Sequence, residues 1–271
     1  MIGEKRLGLC LSAGGAKGLA HIGVLKVLEK YNIPIHSIAG TSSGALVGGL
    51  YSSTENIEAI EELALSLTKK KWMSLMLKDL RLFKKGLVTG DTLMKFLGDF
   101  IDNLEGRTTI GAGHHRLKIV AADILTGKRE VFGGGPILEA VRASISLPLT
   151  FTPAELYGRL FVDGACIDPA PVDIPVTMRS NKVLLIATCG KEGLPFIGKL
   201  SKANILHNYS MNSTATIIRE RSKLADLTLW PEVDDIDTLE FWKAKEAIAA
   251  GEKVAEENIN KIKELVSFWR N

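Results

Sequence analysis

Two glycine-rich turns, each set between a short apolar run and a stretch with helical spacing, constrain this chain more than any other feature. They are Ala13-Gly14-Gly15-Ala16-Lys17-Gly18 and Gly40-Thr41-Ser42-Ser43-Gly44. Residues 7–12 form an apolar run that suits a buried strand, and over residues 17–31 Leu19, Ile22, Leu25, Val27 and Leu28 recur at helical spacing. Pro34 breaks that pattern ahead of a second strand at residues 35–39. Residues 43–50 are small and apolar, as in a helix packed deep against a sheet. Strand, glycine loop, helix, strand, tight turn, helix is the order of a parallel sheet with crossover helices. The expected fold class is α/β, three layers with a mostly parallel central sheet between helices.

Downstream, the pattern predicts a helix over 55–71 and strands at 117–122 and 130–132, joined by a turn through Thr126 and Gly127. A helix over 137–144 stops before Pro148 and Pro153, strands follow at 160–162 and 183–188, and long helices at 203–224 and 239–268. With 271 residues, 46% of them hydrophobic, the chain can bury one substantial core. The expected organisation is a single domain over 1–271, with a core at about 7–190 and a helical portion at about 199–271. The formal charge of +3 gives no footing for nucleic-acid binding, and the acidic stretch from Glu232 to Glu240 argues against it. Cys10, Cys166 and Cys189 are too few and too scattered for a disulfide framework or a zinc site. No signal peptide is visible, and no run approaches the ~18–20 apolar residues that cross a bilayer. A cytoplasmic protein, with membrane contact only at its surface, is the expectation.

Gly40-Thr41-Ser42-Ser43-Gly44 fits G-x-S-x-G and sits between an apolar strand and a helix of small residues, where that motif belongs. A sharp strand-to-helix turn pushes the serine hydroxyl out of the sheet, and the helix N-terminus adds N–H groups and positive dipole. The competing reading is a chance turn of small residues. For the first turn, a phosphate cradle competes with an oxyanion hole. The Walker pattern fails because no Gly-Lys-Ser/Thr follows, and the dinucleotide fingerprint fails because Ala13 takes its first glycine position. The next strand also ends at Ala39 without the acidic residue that meets a ribose. Adjacent parallel strands would bring both turns together at their carboxyl ends.

A serine nucleophile needs a base. The five histidines are His21, His36, His114, His115 and His207; only His207 comes late enough for a Ser…Asp…His order, and its helical spacing beside Tyr209 and Met211 suits a structural role. Asp163, in Phe161-Val162-Asp163-Gly164-Ala165, directly follows a short apolar strand. An aspartate near its ordinary pKa of about 3.9 is a weak base, so this role demands desolvation and close contact with Ser42. The plain alternative is a turn aspartate, since Asp-Gly is a turn dipeptide. Asp123, Asp168 and Asp173 are other candidates, with Asp123 placed to brace the turn at Thr126.

Together, LSAGGAKGLAHIGVL, GTSSG, DGA and the stretch RASISLPLTFTPAELYGRLFVDGACIDPAPV resemble the patatin-like phospholipase family over about residues 7–176. The resemblance implies a patatin-like fold and lipid-ester hydrolysis by a dyad of Ser42 and Asp163. It further implies oxyanion donors from the backbone at Gly14, Gly15 and Ala16, and neither a metal nor an organic cofactor. Two departures stand out: Ala13 replaces the first glycine, and Lys17 stands where arginine is common. An alanine there would be strained in a left-handed conformation, and lysine lacks arginine's bidentate fork.

Residues 69–85 carry Lys69, Lys70, Lys71, Lys78, Arg81, Lys84 and Lys85 against a single acid, Asp79, interleaved with Trp72 and seven other large apolar residues. That composition suits peripheral contact with an anionic membrane, or a helix that packs its apolar side inward and leaves a solvated basic rim. Three function classes stand at this point: a lipid acyl hydrolase, a non-catalytic binding or regulatory module on the same fold, and a nucleotide-binding protein.

Overall fold

A computed structural model describes residues 5–80, 88–190 and 201–267, without the side chains of residues 202–204 and 207. Among the described residues ten strands form in chain order: β1 Leu7–Leu11, β2 Ile35–Thr41, β3 Thr109–Ile110, β4 Arg116–Asp123, β5 Arg129–Phe132, β6 Gly135–Pro136, β7 Ala154–Leu156, β8 Arg159–Asp163, β9 Lys182–Ile186 and β10 Leu227–Leu229. The helices are α1 Ala20–Lys30, α2 Ser43–Thr54, α3 Ile57–Leu65, α4 Lys69–Lys78, α5 Asp91–Asn103, α6 Ile137–Ser144, α7 Ile174–Thr177, α8 Lys202–Ser222, α9 Ala244–Glu257 and α10 Ile259–Val266.

The central sheet runs β10-β9-β1-β2-β4-β8-β7, with β5 also paired to β4, while β3 and β6 pair separately. From β10 to β4 every pairing is parallel, and β5, β7 and β8 are antiparallel. Alternation along the strands builds the layers. Leu7, Leu9, Leu11, Leu184 and Ile186 face the cluster formed with α1, α2 and α9, while Cys10, Val183 and Leu185 face the opposite side, beneath Ile218 of α8. This is the expected α/β architecture with a mostly parallel sheet.

Chain punctuation departs from the periodicity in two places. The helix expected over 55–71 is two helices: Thr68 turns out of the first and caps the second, its Oγ1 accepting the Lys71 N–H at 3.2 Å. The helix expected over 239–268 is a short 3-10 turn, then α9 and α10, divided at Asn258.

The junction that places the site lies on β4. Residues 116–120 pair with β2, residues 121–123 pair with β8, and β5 occupies the opposite edge along residues 119–122. β2 and β8 therefore meet end to end along one edge of β4 while running in opposite directions. Their last residues occupy successive rungs: Thr41 opposite Val120, and Asp163 opposite Ala121. The approach is so close that a Cβ at Gly164 would sit 2.3 Å from the Val120 carbonyl oxygen and 2.9 Å from Thr41 Cγ2.

Candidate active site

Ser42 occupies the turn between β2 and α2 with φ +55° and ψ −121°, a conformation that non-glycine residues seldom adopt. Such strain persists where the surroundings over-determine it. Here the Ser42 N–H donates to Ser144 Oγ at 2.8 Å, and the Ser144 hydroxyl donates in turn to the Val120 carbonyl at 2.6 Å. On the far side, the Ser42 carbonyl accepts the Leu46 N–H at 3.0 Å, opening α2. The sequence gives no sign of the Ser144 brace, because a small residue inside a helix reads as packing.

The Ser42 hydroxyl donates to Asp163 Oδ2 at 2.7 Å, and Asp163 Oδ1 accepts the Ala165 N–H at 2.8 Å. Asp163 is 1% exposed, and among the described residues no cation pairs with it. Burial pushes its carboxyl up from the ordinary 3.8 to about 6, while the bonds from Ser42 and Ala165 pull it back down. An aspartate raised this far is a better match for a general base working near neutrality. Cys166, in the turn that follows Asp163, is held as a thiol: burial, then the Asp163 charge, push it up to about 11.

The glycine-rich turn leads into a 3-10 turn at Gly15–Leu19, beside the same cavity as Ser42. The residue that needs a left-handed conformation is Gly15, at φ +57°, where a Cβ would also collide with the Thr238 carbonyl at 2.4 Å. Ala13 is not among the positive-φ residues, so its replacement of glycine brings no strain. Among the described residues the N–H groups of Gly14 and Gly15 have no acceptor, whereas the Ala16 N–H donates to the Thr238 carbonyl at 2.8 Å. That bond occupies the Ala16 N–H, one of the three donors that the resemblance implies. Lys17 is buried, and its ammonium reaches the Asp234 carbonyl at 3.4 Å and Asp234 Oδ1 at 3.9 Å.

The other sequence candidates lie elsewhere. Asp123 braces its turn as expected, Oδ1 accepting from Leu125 and Thr126 at 2.9 Å each while Oδ2 pairs with Arg159. Asp168 and Asp173 both bind Arg129. His21 Nε2 lies 2.9 Å from the Ser12 carbonyl, His36 bonds the Met178 carbonyl, and His114 and His115 gather around Glu55. Burial lowers His21 to about 4, so it is neutral and its Nε2 donates. The His207 side chain lies outside the described residues. No three His, Cys, Asp or Glu side chains cluster as a metal site among the described residues.

Ser42 and Asp163 open into a cavity of about 350 Å³. Leu46, Val47 and Leu50 of α2 extend one wall, reaching roughly 12 Å from Ser42 at 1.5 Å per residue. α3, α5 and Trp72 of α4 complete an almost wholly apolar lining. Trp72 stacks on Phe241 with ring centroids 4.3 Å apart, so α4 turns its apolar side inward; Lys69 and Lys71 lie over the rings of Trp242 and Phe96. The end of the basic stretch, residues 81–85, lies outside the described residues. Exposed Leu149, Leu206 and Leu239 mark the mouth. No helix among the described residues is long and apolar enough to cross a membrane.

A fold with glycine-rich turns at the strand ends, a serine on a strained strand-to-helix corner and an aspartate beside it defines the class to which comparison with known proteins points. The family model described as patatin-like phospholipase matches residues 9–176, and the chain belongs to that family. An uncharacterized NTE family protein of Mycobacterium tuberculosis is 32% identical over 190 residues, covering 70% of this chain and 51% of that protein. Lysophospholipase NTE1 of Debaryomyces hansenii is 30% identical over 174 residues, covering 64% of this chain and 11% of that protein. The chain thus spans about half the length of the mycobacterial relative and far less of the yeast one. Among solved structures, VipD from Legionella pneumophila superposes with a TM-score of 0.53 at 14% identity, covering 95% of this chain and 67% of that one. The type III effector protein ExoU gives 0.50 at 13%, covering 96% and 54%. At those identities the likeness is one of fold.

Proposed function

We propose that this protein is a lipid acyl hydrolase that cleaves carboxylic esters through an acyl-enzyme on Ser42. The observation that carries the reading is the 2.7 Å bond from the Ser42 hydroxyl to buried Asp163 at the head of an apolar cavity. As Ser42 Oγ attacks the ester carbonyl carbon, its proton passes to Asp163 Oδ2. The N–H groups of Gly14 and Gly15 receive the developing oxyanion, a contribution for which one lost donor typically costs ~10²–10³ in rate. Collapse of the tetrahedral species breaks the ester C–O bond, and Asp163 returns its proton to the departing alcohol or lysolipid. Asp163 then takes a proton from water as its oxygen attacks the acyl-serine carbonyl; collapse breaks the bond to Ser42 Oγ, Asp163 returns the proton to that oxygen, and the fatty acid leaves.

The cavity supports a long acyl chain as the buried part of the substrate, because its lining is predominantly apolar side chains, with few polar groups beyond Ser42 and Asp163. The head group stays at the mouth beside Leu149, Leu206 and Leu239. Peripheral contact with an anionic membrane belongs to the same reading, through the exposed Lys70, Met73 and Leu77 of α4.

Treatment with a fluorophosphonate followed by intact-mass measurement tests the proposal. One adduct on the wild-type protein and none on Ser42→Ala is expected; a folded wild-type protein that takes no label would leave a binding module on this fold as the better reading. For the dyad, Asp163→Asn should abolish turnover while His207→Ala leaves it largely intact. The opposite pattern would indicate a histidine triad.

A further inference from the structure

A single dipeptide touches every part of the proposed machinery, in each case one residue away from the reacting group. The Asp168 N–H donates to the Gly164 carbonyl at 2.8 Å, next to Asp163. The Asp168 carbonyl accepts the Thr41 hydroxyl at 2.9 Å, next to Ser42. The Pro169 carbonyl accepts the Ala13 N–H at 2.8 Å, next to Gly14. Base, nucleophile and oxyanion turn come from β8, β2 and β1, so nothing in local sequence fixes their mutual spacing. These three bonds span all of them.

The dipeptide is itself anchored. Asp168 is 1% exposed, and its Oδ2 accepts Arg129 Nη1 at 2.5 Å. Arg129, on β5, also grips Asp173 with two bonds of 3.0 and 2.9 Å. Arg221 of α8 approaches Asp168 Oδ1 and Asp173 Oδ1 at 3.7 Å each, balancing two acids with two cations. Among the described residues Asp168 Oδ1 has no hydrogen-bond partner, and Arg129 makes the one direct hydrogen bond to this carboxylate. Proline at 169 fixes φ and has no N–H, which leaves its carbonyl as the bonding group. A buried ion pair is a poor source of stability, since apolar replacements often do as well. Its value here lies in where it holds the backbone.

We propose that the Arg129–Asp168 ion pair is a positioning device, locking the 168–169 backbone so that Gly14, Gly15, Ser42 and Asp163 keep one mutual geometry. Asp168 and Arg129 touch no reacting atom; they act through Ala13, Thr41 and Gly164. This role rests on the hydrolase reading above.

The test compares Asp168→Asn, Arg129→Gln and Arg129→Lys with Lys182→Met, which removes an ion pair to Asp226 at the far end of β9 from the site. Fluorophosphonate end-point labelling counts competent sites; the labelling rate, kcat, KM for a soluble ester, the pH profile and the thermal midpoint are then taken per site. Asp168→Asn and Arg129→Gln should lose ~10–100-fold in kcat and in labelling rate, the scale of a misplacement near 1 Å, with KM within about twofold of wild type. Their acid limb should move to higher pH, because the Ser42 bond that holds Asp163 down is loosened. Arg129→Lys should fall between them and wild type, and Lys182→Met should lower the midpoint while leaving kcat per site unchanged. Wild-type rates and pH profile in Asp168→Asn would overturn the role, as would an equal loss per site in Lys182→Met. Should Asp168→Asn fail to fold, unchanged rates in Arg129→Gln or Arg129→Lys overturn it instead. A wild-type protein that takes no label refutes the hydrolase reading and this role with it, whereas a labelled wild type with unchanged variants refutes the positioning role alone.

Discussion

Replacing Asp163 by asparagine should destroy activity and yet make the protein more stable at neutral pH. Burial raises the carboxyl from 3.8 to about 6. Between those values the folded protein holds the proton more tightly than the unfolded chain, so the stabilisation from this group is complete below about pH 4 and lost as pH rises through 6. At pH 8 the buried charge therefore costs about 3 kcal/mol, at 1.36 kcal/mol per unit. Near pH 4 the same reckoning leaves roughly half a kcal/mol. Asparagine has the same shape, accepts the Ala165 N–H and carries no charge. Urea unfolding of both proteins at pH 8 and pH 4, with linear extrapolation, should show a gain approaching that figure at pH 8 and little at pH 4. In a thermal scan at pH 8 the gain corresponds to ~2–4 °C per kcal/mol for a domain of this size. A variant less stable than wild type at pH 8, or an equal difference at both pH values, would refute the argument that ionised Asp163 is kept at the expense of the fold.

Three further outcomes follow from the same geometry. The pH profile of kcat/KM should fall on the acid side with a midpoint near 6, so the rate at pH 5 is about a tenth of that at pH 8; a profile flat to pH 4.5 would contradict an essential buried base. Gly164→Ala should cut kcat/KM at least ~100-fold, since its Cβ would stand 2.3 Å from the Val120 carbonyl oxygen and 2.9 Å from Thr41 Cγ2, forcing the end of β8 away from β4 and Thr41. Kinetics with a short soluble ester check this against the protein's circular dichroism. Leu46→Trp, filling the cavity wall, should lower kcat/KM for a long-chain ester more than ~10-fold and leave an acetyl ester within about threefold, read by paired assays on the two substrates.

Much of this was legible in residues and some was not, for physical reasons. Short-range order declares itself: the apolar run before Gly40 and the small residues after Gly44 predict the strand, corner and helix that carry Ser42. The helix at Asp91–Asn103 was not among the expected elements, although Leu93, Leu97 and Ile101 recur every four residues along its buried face. What periodicity obscures is interruption. Ser66-Leu67-Thr68 continues an amphipathic pattern while its hydroxyls end one helix and begin another. Pairings distant in sequence are the least legible, because a strand's residues do not name its neighbours. Asp163 stood out through Asp-Gly-Ala and the family resemblance, but its placement next to Thr41 along β4 depends on two ladders that no local pattern encodes. Ser144 and Asp168 belong to the same group, their partners being 102 residues away for Ser42 and 127 for Thr41.

The end-to-end meeting of β2 and β8 also bears on the protein's making. Ser42 leaves the ribosome 121 residues before Asp163. Through that interval β1, β2, α2 and β4 can assemble a sheet that already presents the serine, yet it has no base. The edge of β4 beside Thr41 stays vacant until β8 arrives to fill it. Under the proposed hydrolase reading, the nascent chain therefore holds a nucleophile without its base until β8 closes the sheet.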